Sequence, residues 1–252
     1  MPETDTRTLD GKRALITGAG KRIGAAITER LHKAGCSLAI HYRSSTADAK
    51  ELCNRLNDSR PGSAEIFRAD LNDTAGLNGF MGAVIEWGGG LDILINNASS
   101  FYPTPIGSIT EAQWDDLFGS NLKAPLFLSQ VAWPHLKSSQ GVIINMLDIH
   151  SRRPLRDHPV YASAKAGLAA LTRSLAKDMA PEVRVNGIAP GAILWPEEGM
   201  NEPIKNNILR QIPLGRPGDP YDIADCVLYL ARDAAYVTGQ IIAVDGGRSI
   251  GW

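Results

Sequence analysis

Cysteine is scarce in this 252-residue sequence, and where it falls excludes two classes of structure. Cys36, Cys53 and Cys226 are odd in number and far apart, with no C-x-x-C spacing. That argues against a disulfide framework and against a thiolate zinc site. The histidines, His32, His41, His135, His150 and His158, contain no H-x-x-x-H pair, so no metal is expected. No apolar run reaches the roughly 18 residues needed to span a bilayer. The opening "MPETDTRTLDG" lacks the apolar core of a signal peptide, and 1–10 reads as a short mobile tail. A charge excess is missing too. With 26 basic against 27 acidic residues the net charge is −1. Nothing favours a nucleic acid or an anionic membrane as partner, so any anion binding must be local. A reducing, cytoplasmic setting is expected.

What is present is alternation. Short apolar, β-rich runs at 13–17, 37–42, 64–69, 92–96, 141–146, 183–188 and 241–245 are separated by amphipathic segments at 23–34, 46–58, 74–87, 111–138, 160–179 and 219–232. Near-continuous apolar strands imply a sheet covered on both faces, and this spacing predicts an α/β, doubly wound parallel sheet of about seven strands. No repeat or linker divides the chain, so one domain over 1–252 is expected. Two stretches break the pattern: 97–110, "NASSFYPTPIGSIT", and a Pro/Gly-punctuated insertion at 189–218. Both follow strands, where ligands bind in such sheets, and loops this long are usually functional.

The turn after the first strand, "TGAGKRIG" at 17–24, opens a helix, where backbone N–H groups and the helix dipole favour a phosphate. Its spacing, G-x-G-x-x-x-G, departs from the general dinucleotide fingerprint, and alone it is a weak signal, with a structural turn as the lesser alternative. The second strand ends in His41-Tyr42-Arg43-Ser44, without the acid that commonly holds a ribose diol. Arg43 and Ser44 suit a 2′-phosphate, and Arg22 can reach the same place, which favours NADPH over the bland reading of Lys21, Arg22 and Arg43 as solvated cations. Further on, Tyr161 and Lys165 lie at i, i+4 on one helix face. An ammonium nearby is expected to lower the phenol from its usual value of about 10 and make it a usable acid.

In company with "NNAS" at 96–99, Asn121, Asp70-Leu71, Pro190-Gly191 and the terminal "VDGG" at 244–247, these motifs make the chain similar to the short-chain dehydrogenase/reductase family over essentially its whole length. The resemblance implies a Rossmann-type fold, a nicotinamide cofactor and usually a homotetramer. It implies Tyr161 as proton donor, Lys165 on the nicotinamide ribose, Asn121 supporting a relay water and Asp70 facing the adenine. It further implies a cofactor path along Gly18, Lys21, Arg22, Ile23, His41, Tyr42, Arg43, Ser44, Asp70, Leu71, Asn97, Ala98, Ser99, Tyr161, Lys165, Pro190 and Gly191.

Three positions depart from the common family pattern. Arg22 replaces the second glycine of the turn, Ser99 replaces the glycine after N-N-A, and Asp148 stands thirteen residues before Tyr161, where most members carry a serine. A serine hydroxyl donates to a substrate carbonyl, whereas an ionised aspartate only accepts. Simple ketone reduction is thereby disfavoured, and protonation of a ring nitrogen beside a reduced C=N carbon is favoured. Together the departures resemble the pteridine reductases of the family. By that resemblance Phe101 stacks on the pterin, Ser99 and Arg22 touch cofactor and pterin, and Asp148 and Tyr161 meet the pterin. Trp195 and Pro196, in a loop where related enzymes vary, are expected from the residues themselves to close over it. The expected activity is NADPH-dependent reduction of a dihydropterin or dihydrofolate. A carbonyl or 3-oxoacyl reductase that tolerates Asp148 is the alternative, and an NADPH-sensing protein without turnover is the third reading.

Overall fold

The computed structural model describes residues 8–194 and 202–250. Its strands are β1 (Arg13–Ile16), β2 (Ser37–Tyr42), β3 (Ala64–Arg68), β4 (Ile93–Asn96), β5 (Val142–Met146), β6 (Arg184–Pro190) and β7 (Ile241–Val244). All pair in parallel in a single sheet of order β3-β2-β1-β4-β5-β6-β7. The order reverses between β1 and β4, and a crevice opens there beyond the strands' carboxyl ends.

Side chains alternate across each strand, so the sheet feeds two cores. Ala14 and Ile16 of β1 face one cluster with Leu38, Ile40, Ile93, Ile95 and Ile144, capped by α1 (Arg22–Lys33), α2 (Thr46–Ser59) and α8 (Pro220–Arg232). Leu15 faces the other with Leu94, Ile143 and Val185, under α3 (Leu77–Gly88), α5 (Ala124–Ser139) and the end of α6 (Pro159–Asp178). Burial on both faces is why the central strands carry no polar alternation. The edge strands β3 and β7 are partly open.

Two elements differ from the sequence expectation. The helix expected over 111–138 is divided into α4 (Glu111–Phe118), a π-helical turn (Gly119–Lys123) and α5. Inside that turn Asn121 donates to the carbonyls of Leu117 and Ser100 at 3.0 and 2.9 Å, widening the helix so that it reaches the loop after β4. The insertion at 189–218 begins inside β6 and contains α7 (Glu202–Arg210), whose periodicity is hidden among prolines and glycines.

Candidate functional site

Thr17 builds the first wall. Its buried hydroxyl accepts the backbone N–H groups of Asn97 and Ala98, both at 2.9 Å, and fastens the end of β4 to the glycine turn. The Asn97 side chain donates to the carbonyls of Thr17 and Gly18. Gly18 takes φ +62°, and an added Cβ would meet Ala98 Cα at 3.0 Å. At Gly24 a Cβ would collide with the Gly18 carbonyl, so α1 can pack this closely only as glycine.

Around this turn lies a cavity of about 360 Å³. The structure brings to it Gly18, Lys21, Arg22 and Ile23 from the turn, His41, Tyr42, Arg43 and Ser44 from the end of β2, and Asp70 and Leu71 after β3. Asn97, Ala98 and Ser99 close it from β4. Ser45, Asn72, Ser100 and Ser120 also line it and were not anticipated. Ser45 stands just before α2 without capping it by a side-chain bond, and Ser120 lies in the π-turn. Lys21 Nζ stands 3.0 Å from Asp48 Oδ2 at the rim.

His41 lines the cavity and also braces its wall. Gly18 N–H donates to Nδ1 at 3.1 Å, and Nε2 stands 3.2 Å from the Ala69 carbonyl. An amide can only donate and a carbonyl only accept, so the proton is on Nε2. Both ring nitrogens are therefore used in bracing the turn, and the ring is 2 % exposed. Burial pushes it down to about 4, the Ala69 bond opposing weakly, so the imidazole is neutral at physiological pH. It supports the cavity wall and offers no charge to a ligand.

Arg22 connects this cavity to a second one. It opens α1 at φ +54°, the left-handed region that glycine occupies freely and other residues avoid. Arg22, Ile23, Asn97 and Ser99 line both spaces. The second, of about 200 Å³, is completed by Met146 at the end of β5 with Leu147 and Asp148 beyond it, Tyr161 and Lys165 of α6, and Pro190 at the end of β6 with Gly191 and Ile193 beyond it.

At its centre Tyr161 Oη donates to Asp148 Oδ2 at 2.8 Å, while Asp148 Oδ1 accepts the His150 amide at 2.8 Å. Pro159 at the first turn of α6 starts the helix just before Tyr161. One turn later Lys165, 2 % exposed, donates Nζ to the Met146 carbonyl at 2.8 Å, 5.8 Å from the Tyr161 ring centre. The expected lowering of Tyr161 is not found. Burial, then the charge and the hydrogen bond of Asp148, hold the phenol well above its usual range. Lys165 is the group that moves down, to about 8, because burial outweighs the upward pull of Asp148. A carboxylate in bonding contact dominates an ammonium farther away.

Phe101, about half exposed at 51 %, meets the Tyr161 ring edge-on with centroids 4.8 Å apart. Its ring stacks on His158 at 4.8 Å and 14°. His158 precedes α6 and carries no motif that marked it in sequence. Asn121 is fully buried, with its amide nitrogen committed to carbonyls and Oδ1 unpartnered. Trp195 and Pro196 lie outside the described residues. Among the described residues no cluster of His, Cys, Asp and Glu is suited to a metal ion, and no helix is long and apolar enough to cross a membrane.

A family model described as Enoyl-(Acyl carrier protein) reductase matches residues 18–249. Pteridine reductase 1 of Leishmania tarentolae is 36 % identical over 279 aligned positions, covering 94 % of this chain and 96 % of that protein. The Granaticin polyketide synthase putative ketoacyl reductase 2 of Streptomyces violaceoruber is 34 % identical over 244 positions, covering 94 % and 96 %. The 3-oxoacyl-[acyl-carrier-protein] reductase FabG of Staphylococcus aureus (strain N315) is 34 % identical over 240 positions, covering 94 % and 97 %.

Proposed function

The chain belongs to the short-chain dehydrogenase/reductase family, whose oxidoreductases use nicotinamide cofactors, and on that premise we propose that it is an NADPH-dependent pteridine reductase. The observation that carries this reading is the Tyr161–Asp148 bond of 2.8 Å. A relative named as a pteridine reductase supports it, while relatives named as ketoacyl reductases at similar identity make the carbonyl reductase the competing reading.

The residues of the cavity around the glycine turn fit a dinucleotide. The turn leaves its backbone bare at Gly18, where a side chain would meet Ala98, and the cations Lys21, Arg22 and Arg43 gather with Ser44 and Ser45 on the same wall. Arg43 and Ser44 would take the 2′-phosphate, and Asp70 and Leu71 the adenine side. Asn97, Ala98, Lys165, Pro190 and Gly191 would hold the nicotinamide end. When bound, NADPH supplies the hydride that reduces a C=N carbon of the pterin.

The chain's own residues handle the proton. Tyr161 is neutral at physiological pH and holds its proton at Oη, within reach of a ring nitrogen in the second cavity. Once it has donated, the Lys165 ammonium stabilises the phenolate. Asp148 takes a proton from solvent and returns it to Oη across the existing bond. The buried Oδ1 of Asn121 is an acceptor without a partner, the kind of group an ordered water satisfies, and it supports the relay assigned to this residue. Phe101 and Ser99 border the pterin, with Arg22 reaching it from the cofactor side. A homotetramer of one-domain subunits follows the habit of the family. The exposed Leu214 and Ile250 around an apolar hollow beside β7 support such an interface.

Purified protein given NADPH and a 7,8-dihydropterin or dihydrofolate is expected to consume both, as read by the loss of NADPH absorbance. Rapid reduction of a ketone or 3-oxoacyl thioester with every pterin ignored would replace this reading with that of a carbonyl reductase.

A further inference from the structure

Arg248, in the turn after β7, is 9 % exposed, yet its guanidinium lacks the partners that a buried cation requires. Among the described residues Nε is buried without an acceptor, and Nη2 reaches only Gln211 Oε1 at 3.5 Å, the limit of a hydrogen bond. Arg184 shows what a structural arginine looks like in the same fold. Its Nη1 donates to the carbonyls of Leu230 and Ala234 at 2.9 and 3.0 Å. A buried charge left without bonds opposes folding, and one retained in that state calls for an explanation.

Position supplies the explanation. The turn carrying Arg248 is wound on Asp245, whose carboxylate accepts the amides of Gly247 and Ser249 at 2.9 and 2.7 Å. Asp245 is pressed against Gly191, where an added Cβ would meet Asp245 Cβ at 2.6 Å. Gly191 in turn lines the cavity of Asp148 and Tyr161. Burial pushes the Arg248 guanidinium below its usual range, and the charges of Asp148 and Asp245 oppose this. Neither carboxylate is free to bond it. Asp148 is occupied by Tyr161 and His150, and Asp245 by its own turn. Gln211 follows α7, on the segment that comes in from the insertion.

We propose that Arg248 is a substrate-specificity residue that binds a carboxylate in the tail of the reduced pterin. Nε and Nη2 share one edge of the guanidinium, the edge that grips a carboxylate through two parallel bonds, and the long Gln211 contact is a weak stand-in for it. Asp148 and Tyr161 handle the ring nitrogen, so Arg248, on the Gly191 side, is left for the part of the substrate that extends away. The inference rests on the pteridine reductase reading and adds its substrate class: a pterin with an anionic tail is preferred over one with a neutral hydroxylated tail.

The test compares dihydrofolate with 7,8-dihydrobiopterin in the wild type, Arg248→Lys and Arg248→Met, with Tm measured on the ligand-free proteins. Arg248→Met is expected to raise KM for dihydrofolate about 10–100-fold, the loss of a charged hydrogen-bonded pair, and KM for dihydrobiopterin less than about threefold. Arg248→Lys recovers part of the difference. Tm of Arg248→Met is expected to hold or rise, because an unsatisfied buried charge has gone. Parallel changes in both KM values, or a lower Tm with neither KM altered, would make Arg248 a structural cation and overturn the proposal while pterin reduction stands. If neither pterin drives NADPH oxidation, the reading beneath it fails, and the proposal with it.

Discussion

Restoring glycine at position 22 separates stability from cofactor binding in one experiment. Arg22 holds φ +54°, a conformation that costs a residue with a Cβ about 1–2 kcal/mol. Glycine removes that strain but returns about 0.4–1 kcal/mol of freedom to the unfolded chain. The net gain for Arg22→Gly is about 0–1.6 kcal/mol, a rise in Tm of up to about 6 °C for a chain of this size. Arg22→Ala keeps the strain and loses only the charge, so its Tm is expected to stay near that of the wild type. Both variants lose the guanidinium between the two cavities, and both should raise KM for NADPH about 10–100-fold, the value of a charge-assisted bond. Calorimetry of the ligand-free proteins and steady-state kinetics with varied NADPH read the two effects separately. A Tm for Arg22→Gly at or below that of Arg22→Ala would refute the strain. An unchanged KM in both variants would refute the role in cofactor binding.

Asp148→Ser removes two of the three causes that hold Tyr161 high, and Tyr161 should titrate closer to its ordinary value by ultraviolet difference spectroscopy. Lys165, supported upward by Asp148, should titrate below its present value of about 8. Turnover of a dihydropterin should fall about 10²–10⁴-fold, while undiminished turnover would remove Asp148 from the mechanism. Arg43→Ala should raise KM for NADPH about tenfold or more and leave NADH unaffected. An equal effect on both cofactors would contradict the 2′-phosphate assignment. His41 has a folded-state value of about 4 against 6.5 unfolded, so its contribution is complete above pH 6.5 and is lost as pH falls toward 4. Denaturant titrations should show up to about 3 kcal/mol lost over that window. His41→Gln should flatten the slope, and a slope unchanged in that variant would assign the loss to other groups.

The strand pattern was legible because the sheet is covered on both faces, leaving seven apolar runs at the positions the structure uses. Residues that line the two cavities were legible where they follow a spacing: glycines at a turn, a cation after the second strand, a tyrosine and lysine one turn apart. What escaped depends on contacts between distant segments. The π-turn exists because Asn121 reaches Ser100, and nothing local to 111–138 announces it. The two ring bonds of His41 join the glycine turn to the end of β3, so its residue type marked a place in the cavity wall without revealing that it faces the protein. The direction of the Tyr161 shift could not be read from the i, i+4 lysine, because a residue thirteen positions away lies closer to the phenol.

Local rules are broken most densely where the two cavities meet. Among the described residues only Arg22, Gln140 and Asp157 hold positive φ without being glycine. Gln140 ends a helix, as such residues commonly do. Arg22 instead lines both cavities, and Asp157 lies in the loop between Asp148 and Tyr161, where its carbonyl accepts the Thr104 amide at 2.6 Å. That bond joins the loop of Phe101 to the loop of His158, whose rings stack. Strain in a backbone persists only where surrounding contacts over-determine it. Here those contacts hold an aromatic face, an acid pair and a cation around one small space. The same reasoning applies to Arg248, whose buried Nε finds no acceptor among the described residues, in the turn wound on Asp245, which packs against Gly191. Asn72 of the first cavity and Asn121, bonded to Ser100 in its wall, also keep a buried side-chain atom without a hydrogen-bond partner among the described residues, and so do Arg30 and Thr104, which line neither cavity.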